Sequence, residues 1–276
     1  MTGELPDVLL LTDIVVVCAM EPLLTDHVAV ITGAASGNGR AIARRFAAEG
    51  ADVVVADLQK EPREGGEPTH EVLEAETDAR ATFVECDVTS VSDLENAVEA
   101  AEEFGGVTVM VNNAGIFHGE EFLEVDEEAF DRMMDINVKG VYFGAQAAAK
   151  RMVEGDGGSI INLASVAGLE GSGEFVTYCG TKGAVRLLTY SMAGRLGPDG
   201  IRVNAIHPGL IETTMTTDDY AIIGTDAEAG FLESIPARRA GQPDDVADAA
   251  VYLASDLADY VNGESLVVDG GMSNTQ

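Results

Sequence analysis

The run Val28-Ala29-Val30-Ile31-Thr32, followed at once by Gly33-Ala34-Ala35-Ser36-Gly37-Asn38-Gly39, constrains this chain more than any other stretch. An apolar run without polar alternation predicts a strand buried on both faces, as the inner strands of parallel sheets are. A helical pattern follows from Arg40 to Glu49, and Gly50 stops it. Positions without side chains, placed between a strand and a helix, let the backbone approach a pyrophosphate whose charge then sits at the helix N-terminus. The spacing G-x-x-x-G-x-G differs from G-x-G-x-x-G, so the strand-then-helix context carries the reading. Gly33, Ser36, Gly37, Asn38 and Gly39 are the phosphate-side candidates. A merely tight strand-to-helix turn is the competing reading.

The alternation continues along the chain. Further strands are expected at 52–57, 81–85, 107–111, 159–163, 201–206 and 265–268, with helices at 91–104, 127–153, up to about 196, and 244–255. Strands alternating with helices predict an α/β fold, a parallel sheet with helices on both faces. Residues 58–80, with two prolines and Gly65-Gly66, read as a loop and a short exposed helix. Residues 210–236 show no stable period and read as a mobile lid. No repeat, linker or second domain is visible, so 25–276 is expected to be one dinucleotide-binding catalytic domain. Residues 1–24 are an N-terminal extension of uncertain status. Their apolar run at 8–17 is too short to span a bilayer, is broken by Asp13, and lacks the basic residues that precede a secretory signal. The natural start is expected at Met20, with an added strand or an interface arm as the alternative.

Asp57 closes the second strand about twenty residues beyond the glycines, where a carboxylate accepts hydrogen bonds from ribose hydroxyls and repels a 2′-phosphate. Leu58 follows it, and no arginine or lysine stands in the glycine loop or directly after Asp57; the nearest base is Lys60. NAD is therefore favoured over NADP.

Charge narrows the partners. Sixteen basic residues against 48 acidic ones leave a net charge of −32, spread through periodic segments rather than gathered in a tail. Such a surface repels phosphate backbones and anionic lipid, which argues against nucleic-acid and membrane binding. It also resembles proteins of a high-salt cytoplasm, where the Debye length falls to about 3 Å near 1 M salt and self-repulsion is screened. Cys18, Cys86 and Cys179, with His27, His70, His118 and His207, show no metal-ligand spacing, so free thiols and no zinc or other metal are expected.

Tyr178 and Lys182 stand four apart in a helical pattern, one turn apart on one face. A cation close to a phenol favours the phenolate and lowers its pKa from about 10. An oxidised nicotinamide ring would supply a second positive charge. Alone, Y-x-x-x-K matches many ordinary amphipathic helices.

The joint order of Thr32-Gly33-x-x-x-Gly37-x-Gly39, Asp87-Val88, Asn112-Asn113-Ala114-Gly115, Asn137, Ser165, Tyr178-x-x-x-Lys182, Pro208-Gly209 and Asp269-Gly270-Gly271 resembles the classical short-chain dehydrogenase/reductase family over residues 26–272. The resemblance implies a single-domain Rossmann fold, a doubly wound seven-stranded parallel sheet with its site at the carboxyl ends of the strands. It implies Tyr178 as acid/base, Ser165 as the hydroxyl on the substrate oxygen, and Lys182 on the nicotinamide ribose, depressing the tyrosine pKa. Asn137 would anchor a water between Lys182 and solvent. Asp87 and Val88 would contact adenine, Asn113, Ala114 and Gly115 the adenosine side, and Ile211 and Thr213 the nicotinamide amide, with Pro208 and Gly209 also cofactor-binding. A homo-oligomer, a tetramer in this family, is implied as well.

Asn38 replaces the aliphatic residue usual in the glycine loop, and Cys179 beside Tyr178 lacks the histidine base a nucleophilic thiol would need. The expected activity is NAD(H)-dependent interconversion of a secondary alcohol or sugar hydroxyl and a ketone. The alternatives are a 3-oxoacyl-thioester reductase using NADP(H) and a catalytically silent cofactor-binding regulatory protein. Substrate choice is expected to rest on 166–175, Phe117, His118, Glu174 and the 210–236 lid.

Overall fold

A computed structural model describes residues 21–275, and the expectations for 1–19 lie outside the described residues. In chain order the elements are β1 Val28–Thr32, α1 Gly37–Ala48, β2 Asp52–Asp57, α2 Thr69–Glu76, β3 Ala81–Glu85, α3 Val91–Ala100, β4 Val109–Asn112, α4 Glu127–Met134 and α5 Gly140–Met152. They continue with β5 Gly158–Leu163, α6 Val176–Leu196, β6 Ile201–Pro208, α7 Glu228–Ser234, α8 Pro243–Ala254 and β7 Ser265–Val268. The strands form one seven-stranded sheet in the order β3-β2-β1-β4-β5-β6-β7, every pair parallel. This is the doubly wound Rossmann architecture.

The first strand shows why the sequence folds this way. Val28–Thr32 is buried at every position, and its side chains alternate between two cores. Ala29 and Ile31 join Ile42 and Phe46 of α1 and Val246 and Val251 of α8 on one face. Val28 and Val30 join Leu94 of α3, Met152 of α5 and Ile160 of β5 on the other. A strand sandwiched in this way reads as an unbroken apolar run. The chain lays β2 and β3 outward from β1, then crosses back to place β4 on its other side. Loops leaving β1 and β4 therefore diverge, and a crevice opens at their carboxyl ends.

Four sequence expectations change. The glycine loop is shorter than the pattern implied, because α1 begins at Gly37 and takes Gly37 and Gly39 into its first turn. The short helix after β2 is not simply exposed; Thr69, Val72 and Leu73 of α2 are buried against α1. The long helix carrying Asn137 is one helix interrupted by a π-helical turn, Asp135–Lys139, between α4 and α5. The 210–236 segment contains a π-helical turn, Met215–Asp219, and α7. Its own small core of Leu210, Ile222 and Ile235 supplies the packing that no single helical period advertises.

At the N-terminal border the main-chain N–H of Leu23 donates to the Glu49 carboxylate at 3.1 Å, and Leu24 is fully buried in the α1–α8 core. Residues 23 and 24 are thus part of the packed fold.

Candidate active site

The crevice at the carboxyl ends of β1 and β4 is a cavity of about 480 Å³. Its floor at the phosphate end is built by absence of side chains. Gly33 has φ +65°, and a Cβ there would lie 2.9 Å from Asn113 Nδ2 and 3.0 Å from Ala114 Cα. A Cβ on Gly39 would overlap the Gly33 carbonyl oxygen. Gly39 therefore serves the packing of the loop on the helix and does not line the cavity, whereas Gly33, Ser36, Gly37 and Asn38 do. The N-cap Ser36 makes no side-chain cap, and no acidic residue stands in the first turn of α1. Glu64 Oε1 accepts from Gly37 N at 3.1 Å, so the chain's own carboxylate sits at this helix N-terminus. An anion is favoured there by the N–H groups and by the dipole. The cradle fits a dinucleotide pyrophosphate.

The β4 end is stapled to this loop. Thr32 Oγ1 accepts from the N–H groups of Asn113 and Ala114 at 3.0 and 3.1 Å, and Asn113 Nδ2 donates to the Thr32 and Gly33 carbonyls at 2.9 and 3.1 Å. Asn113, Ala114 and Gly115 line the cavity, with Asp87 and Val88 beside them. Asp57 Oδ2 accepts from Ala35 N at 3.0 Å, and burial pushes its carboxyl above the usual range against the pull of neighbouring backbone N–H groups. Leu58 is 65% exposed beside it. Sequence position made Lys60 the nearest base, but Lys60 is paired with Glu71 at 2.6 Å and lies off the cavity. Arg63 lines it instead, its N–H donating to Ser36 Oγ at 2.8 Å and its guanidinium forked onto Asp219 of the 210–236 segment at 2.7 and 2.9 Å. The loop folds back across the mouth, with Gly65 and Gly66 at φ +80° and +97°, and a linear reading cannot follow that path.

At the other end of the same cavity stand Ser165, Tyr178 and Lys182, with Pro208, Gly209, Ile211 and Thr213 opposite. Ser165 follows β5 and caps a 3₁₀ turn, its Oγ accepting from Ala167 N at 3.1 Å. Tyr178 and Lys182 share one face of α6, and the Lys182 Nζ lies 5.6 Å from the tyrosine ring centroid. Lys182 is nearly fully buried and donates to the Leu163 carbonyl at 2.8 Å. Asn137 is fully buried behind Gly115 and does not line the cavity. Its amide accepts from Ile116 N and donates to Ile116 O, both at 2.9 Å, and reaches Thr181 Oγ1 at 3.3 Å. The side chain thus holds the Ile116 backbone and reaches Thr181 of α6.

The expected lowering of the tyrosine pKa includes the oxidised nicotinamide; among the protein's own groups, burial pushes Tyr178 up to about 12, although its hydrogen bond with the Ser165 hydroxyl pulls the other way. Burial also pulls Lys182 down to about 8. Burial moves both groups toward their neutral forms. The chain's own charges do not create a phenolate.

The substrate side is aromatic. Phe117 lies 4.6 Å from the Tyr178 ring, 4.9 Å from Tyr220 and 5.3 Å from Phe175. This aromatic cluster touches Tyr178 but does not itself line the cavity, and neither do His118 and Glu174, the polar candidates; Glu174 sits 3.5 Å from the Tyr220 hydroxyl. Arg63 is a cavity residue that the sequence pattern does not point to, because it reaches the site through loop closure; Phe175 and Tyr220 fall within the 166–175 and 210–236 segments expected to set substrate choice. Among the described residues no helix is long and apolar enough to cross a membrane, and no group of three or more His, Cys, Asp or Glu residues is placed to hold a metal.

A doubly wound sheet with a pyrophosphate cradle and a serine, tyrosine and lysine gathered in one crevice defines a nucleotide-dependent oxidoreductase. A family profile described as enoyl-(acyl carrier protein) reductase matches residues 33–273. The L-2,3-butanediol dehydrogenase of Corynebacterium glutamicum is 42% identical over 254 residues, 89% of this chain and 98% of that one. The L-rhamnose 1-dehydrogenase (NAD(P)(+)) of Azotobacter vinelandii is 40% identical over 252 residues, 91% of this chain and 98% of that one. A crystal structure of a short-chain type dehydrogenase/reductase from Mycobacterium marinum superposes with a TM-score of 0.83 at 35% identity, covering 91% of this chain and 97% of that one. The chain belongs to the short-chain dehydrogenase/reductase family. It is an oxidoreductase that acts on CH–OH groups with an NAD(P) cofactor.

Proposed function

We propose that the chain oxidises a secondary alcohol, a vicinal diol or a sugar hydroxyl, using NAD in preference to NADP, with Tyr178 as the acid/base. The observation that carries this reading is the placement of Ser165, Tyr178 and Lys182 in the same cavity as the glycine cradle. The bound dinucleotide supplies the hydride acceptor. Ser165 Oγ, whose N–H partner at Ala167 fixes its direction, holds the substrate oxygen. Tyr178 removes the hydroxyl proton, and Lys182 holds the ribose and favours the phenolate. Asn137 keeps the Ile116 main chain in place beside them. The names of the butanediol and rhamnose dehydrogenases support a polyol or sugar substrate. The retained serine, tyrosine and lysine disfavour a silent regulatory protein, and Asp57 disfavours an NADP-dependent 3-oxoacyl reductase.

We place the protein in the cytoplasm of a salt-accumulating cell as a homo-oligomer, a tetramer by family resemblance. A net charge of −32 supports the first, since screening relieves self-repulsion. The test is a screen of diols, sugars and acyl ketones with NAD(H) and NADP(H), in dilute buffer and in molar KCl. Turnover of a diol or sugar with NAD, greater in molar KCl, is expected. Activity confined to acyl ketones with NADPH would overturn the reading.

A further inference from the structure

Behind Ser165 runs a line of side chains that the reaction itself does not use. His207, fully buried at the end of β6, has its Nδ1 2.8 Å from the Ser165 carbonyl oxygen and its Nε2 3.0 Å from Ser265 Oγ. Ser265 Oγ lies 2.7 Å from the Tyr190 hydroxyl, and Arg186 Nε donates to that hydroxyl at 2.8 Å. Four contacts therefore join a half-buried guanidinium to the main chain of the serine that holds the substrate oxygen.

Only one proton arrangement of a neutral ring satisfies all four. A carbonyl oxygen accepts and cannot donate, so Nδ1 carries the proton. Nε2 is then bare and accepts from Ser265, which leaves Ser265 Oγ to accept from Tyr190. The Tyr190 oxygen in turn accepts from Arg186, which has no acceptor. Every donor points inward. A protonated ring would donate from Nε2 and turn the Ser265 hydroxyl proton away from His207, and the surroundings oppose that. Burial lowers the His207 pKa, and Lys182 and Arg186 of α6 add to the effect against the Ser165 carbonyl bond and the single opposing charge of Glu264.

We infer that Arg186, Tyr190, Ser265 and His207 form a directed hydrogen-bond relay whose task is to fix the Ser165 main chain, with His207 neutral and protonated on Nδ1. These are positioning residues. The Ser165 carbonyl also accepts from Gly168 N at 2.9 Å, so the two donors together hold the turn from which Ser165 Oγ is presented to Tyr178. The relay orders the serine and leaves the dinucleotide cradle untouched, since none of the four side chains lines the cavity. The inference rests on Ser165 holding the substrate oxygen.

Two measurements test it. In nitrogen-15 spectra of the histidine-labelled protein, His207 is expected as a neutral Nδ1–H ring throughout the range in which a free histidine of pKa ~6.5 titrates. An Nε2–H ring or an imidazolium in that range overturns the relay, whatever the activity. In steady-state kinetics Ser265→Ala and Tyr190→Phe are each expected to lower kcat by about 3- to 10-fold with the KM for NAD within about twofold of wild type. His207→Asn, which keeps a donor near the Nδ1 position, is expected to retain more kcat than His207→Leu. Wild-type kcat in both outer variants, or an Asn variant no better than Leu, overturns the proposal. Should His207→Leu fail to fold, the outer variants decide alone. Tyr178→Phe assayed alongside separates the two claims. An active Tyr178→Phe removes the acid/base reading, and the ring spectrum still judges the relay.

Discussion

The two ends of the cavity are held by different physics. Around Ser165, Tyr178 and Lys182 the braces are short, buried and almost all to main chain: Lys182 to Leu163, Asn137 to Ile116, His207 to Ser165. Across the mouth, the 58–67 loop and the 210–236 segment meet through the Arg63–Asp219 fork, whose side chains are 41% and 32% exposed. Buried hydrogen bonds cost more to break than exposed ion pairs, whose worth has a median of about 0–1 kcal/mol and is screened by salt. The reacting groups thus sit where buried bonds fix their position, and the rim is joined by a weaker, salt-screened pair.

Breaking the fixed end should have the largest effect. Lys182→Met removes the ribose partner and the cation beside Tyr178, so kcat/KM should fall by at least about 10²-fold and NAD affinity should drop with it. The same change loses the buried bond to Leu163 but also removes a buried ammonium, so it should lower thermal stability at neutral pH by less than that bond alone implies. Burial lowers the Lys182 pKa to about 8 in the folded protein, so keeping the ammonium there opposes folding. Between that value and the free lysine value of ~10.4 the unfolded chain binds more protons, so this group raises stability as pH rises through the window. Calorimetry on both proteins across that range checks the sign. A variant that melts far below wild type would show that the lysine serves the fold.

A middle-sized effect is expected at the ribose end. Asp57→Ala with Leu58→Arg removes a repulsive carboxylate and adds a phosphate partner on an already exposed position, so the ratio of kcat/KM for NAD to that for NADP should swing by about 10- to 100-fold. A wild type that already prefers NADP would show instead that Arg63 outweighs Asp57.

The smallest effect belongs to the rim. Asp219→Ala should change substrate KM by about threefold or less, and that difference should vanish in molar KCl as the pair it breaks is screened. A loss of kcat rivalling the lysine variant would mean that the rim also positions the reacting atoms.

Legibility in the sequence follows the same division. Local patterns specified β1, β2 and β3 to the residue, because buried strands need unbroken apolar runs and Gly50 and the turn residues punctuate them. The glycine cradle and the Tyr178/Lys182 pair were also legible, since each is a short spacing within or beside one element. Arg63 was not, because Gly65-Gly66 marks a loop without saying where it goes. Nor was the role of Thr32, which reaches Asn113 and Ala114 across eighty residues of chain. The burial of Tyr178 is not legible either, for a different reason: a motif shows Lys182 one turn away but not the desolvation that raises the phenol's pKa.

The central claim is that Tyr178 moves the proton only once its phenolate is favoured by Lys182 together with the oxidised dinucleotide. The direct measurement is the pH dependence of alcohol oxidation under saturating NAD, in wild type and in Tyr178→Phe. Because the protein's own groups, burial foremost, hold the phenol at about 12, a wild-type rate that rises with pH through an ionisation below the free tyrosine value of ~10 reports the pull of both cations. Tyr178→Phe should still bind NAD, lose at least about 10²-fold in kcat, and show no such ionisation. A Tyr178→Phe enzyme that kept most of its kcat, or the same pH profile, would contradict the account.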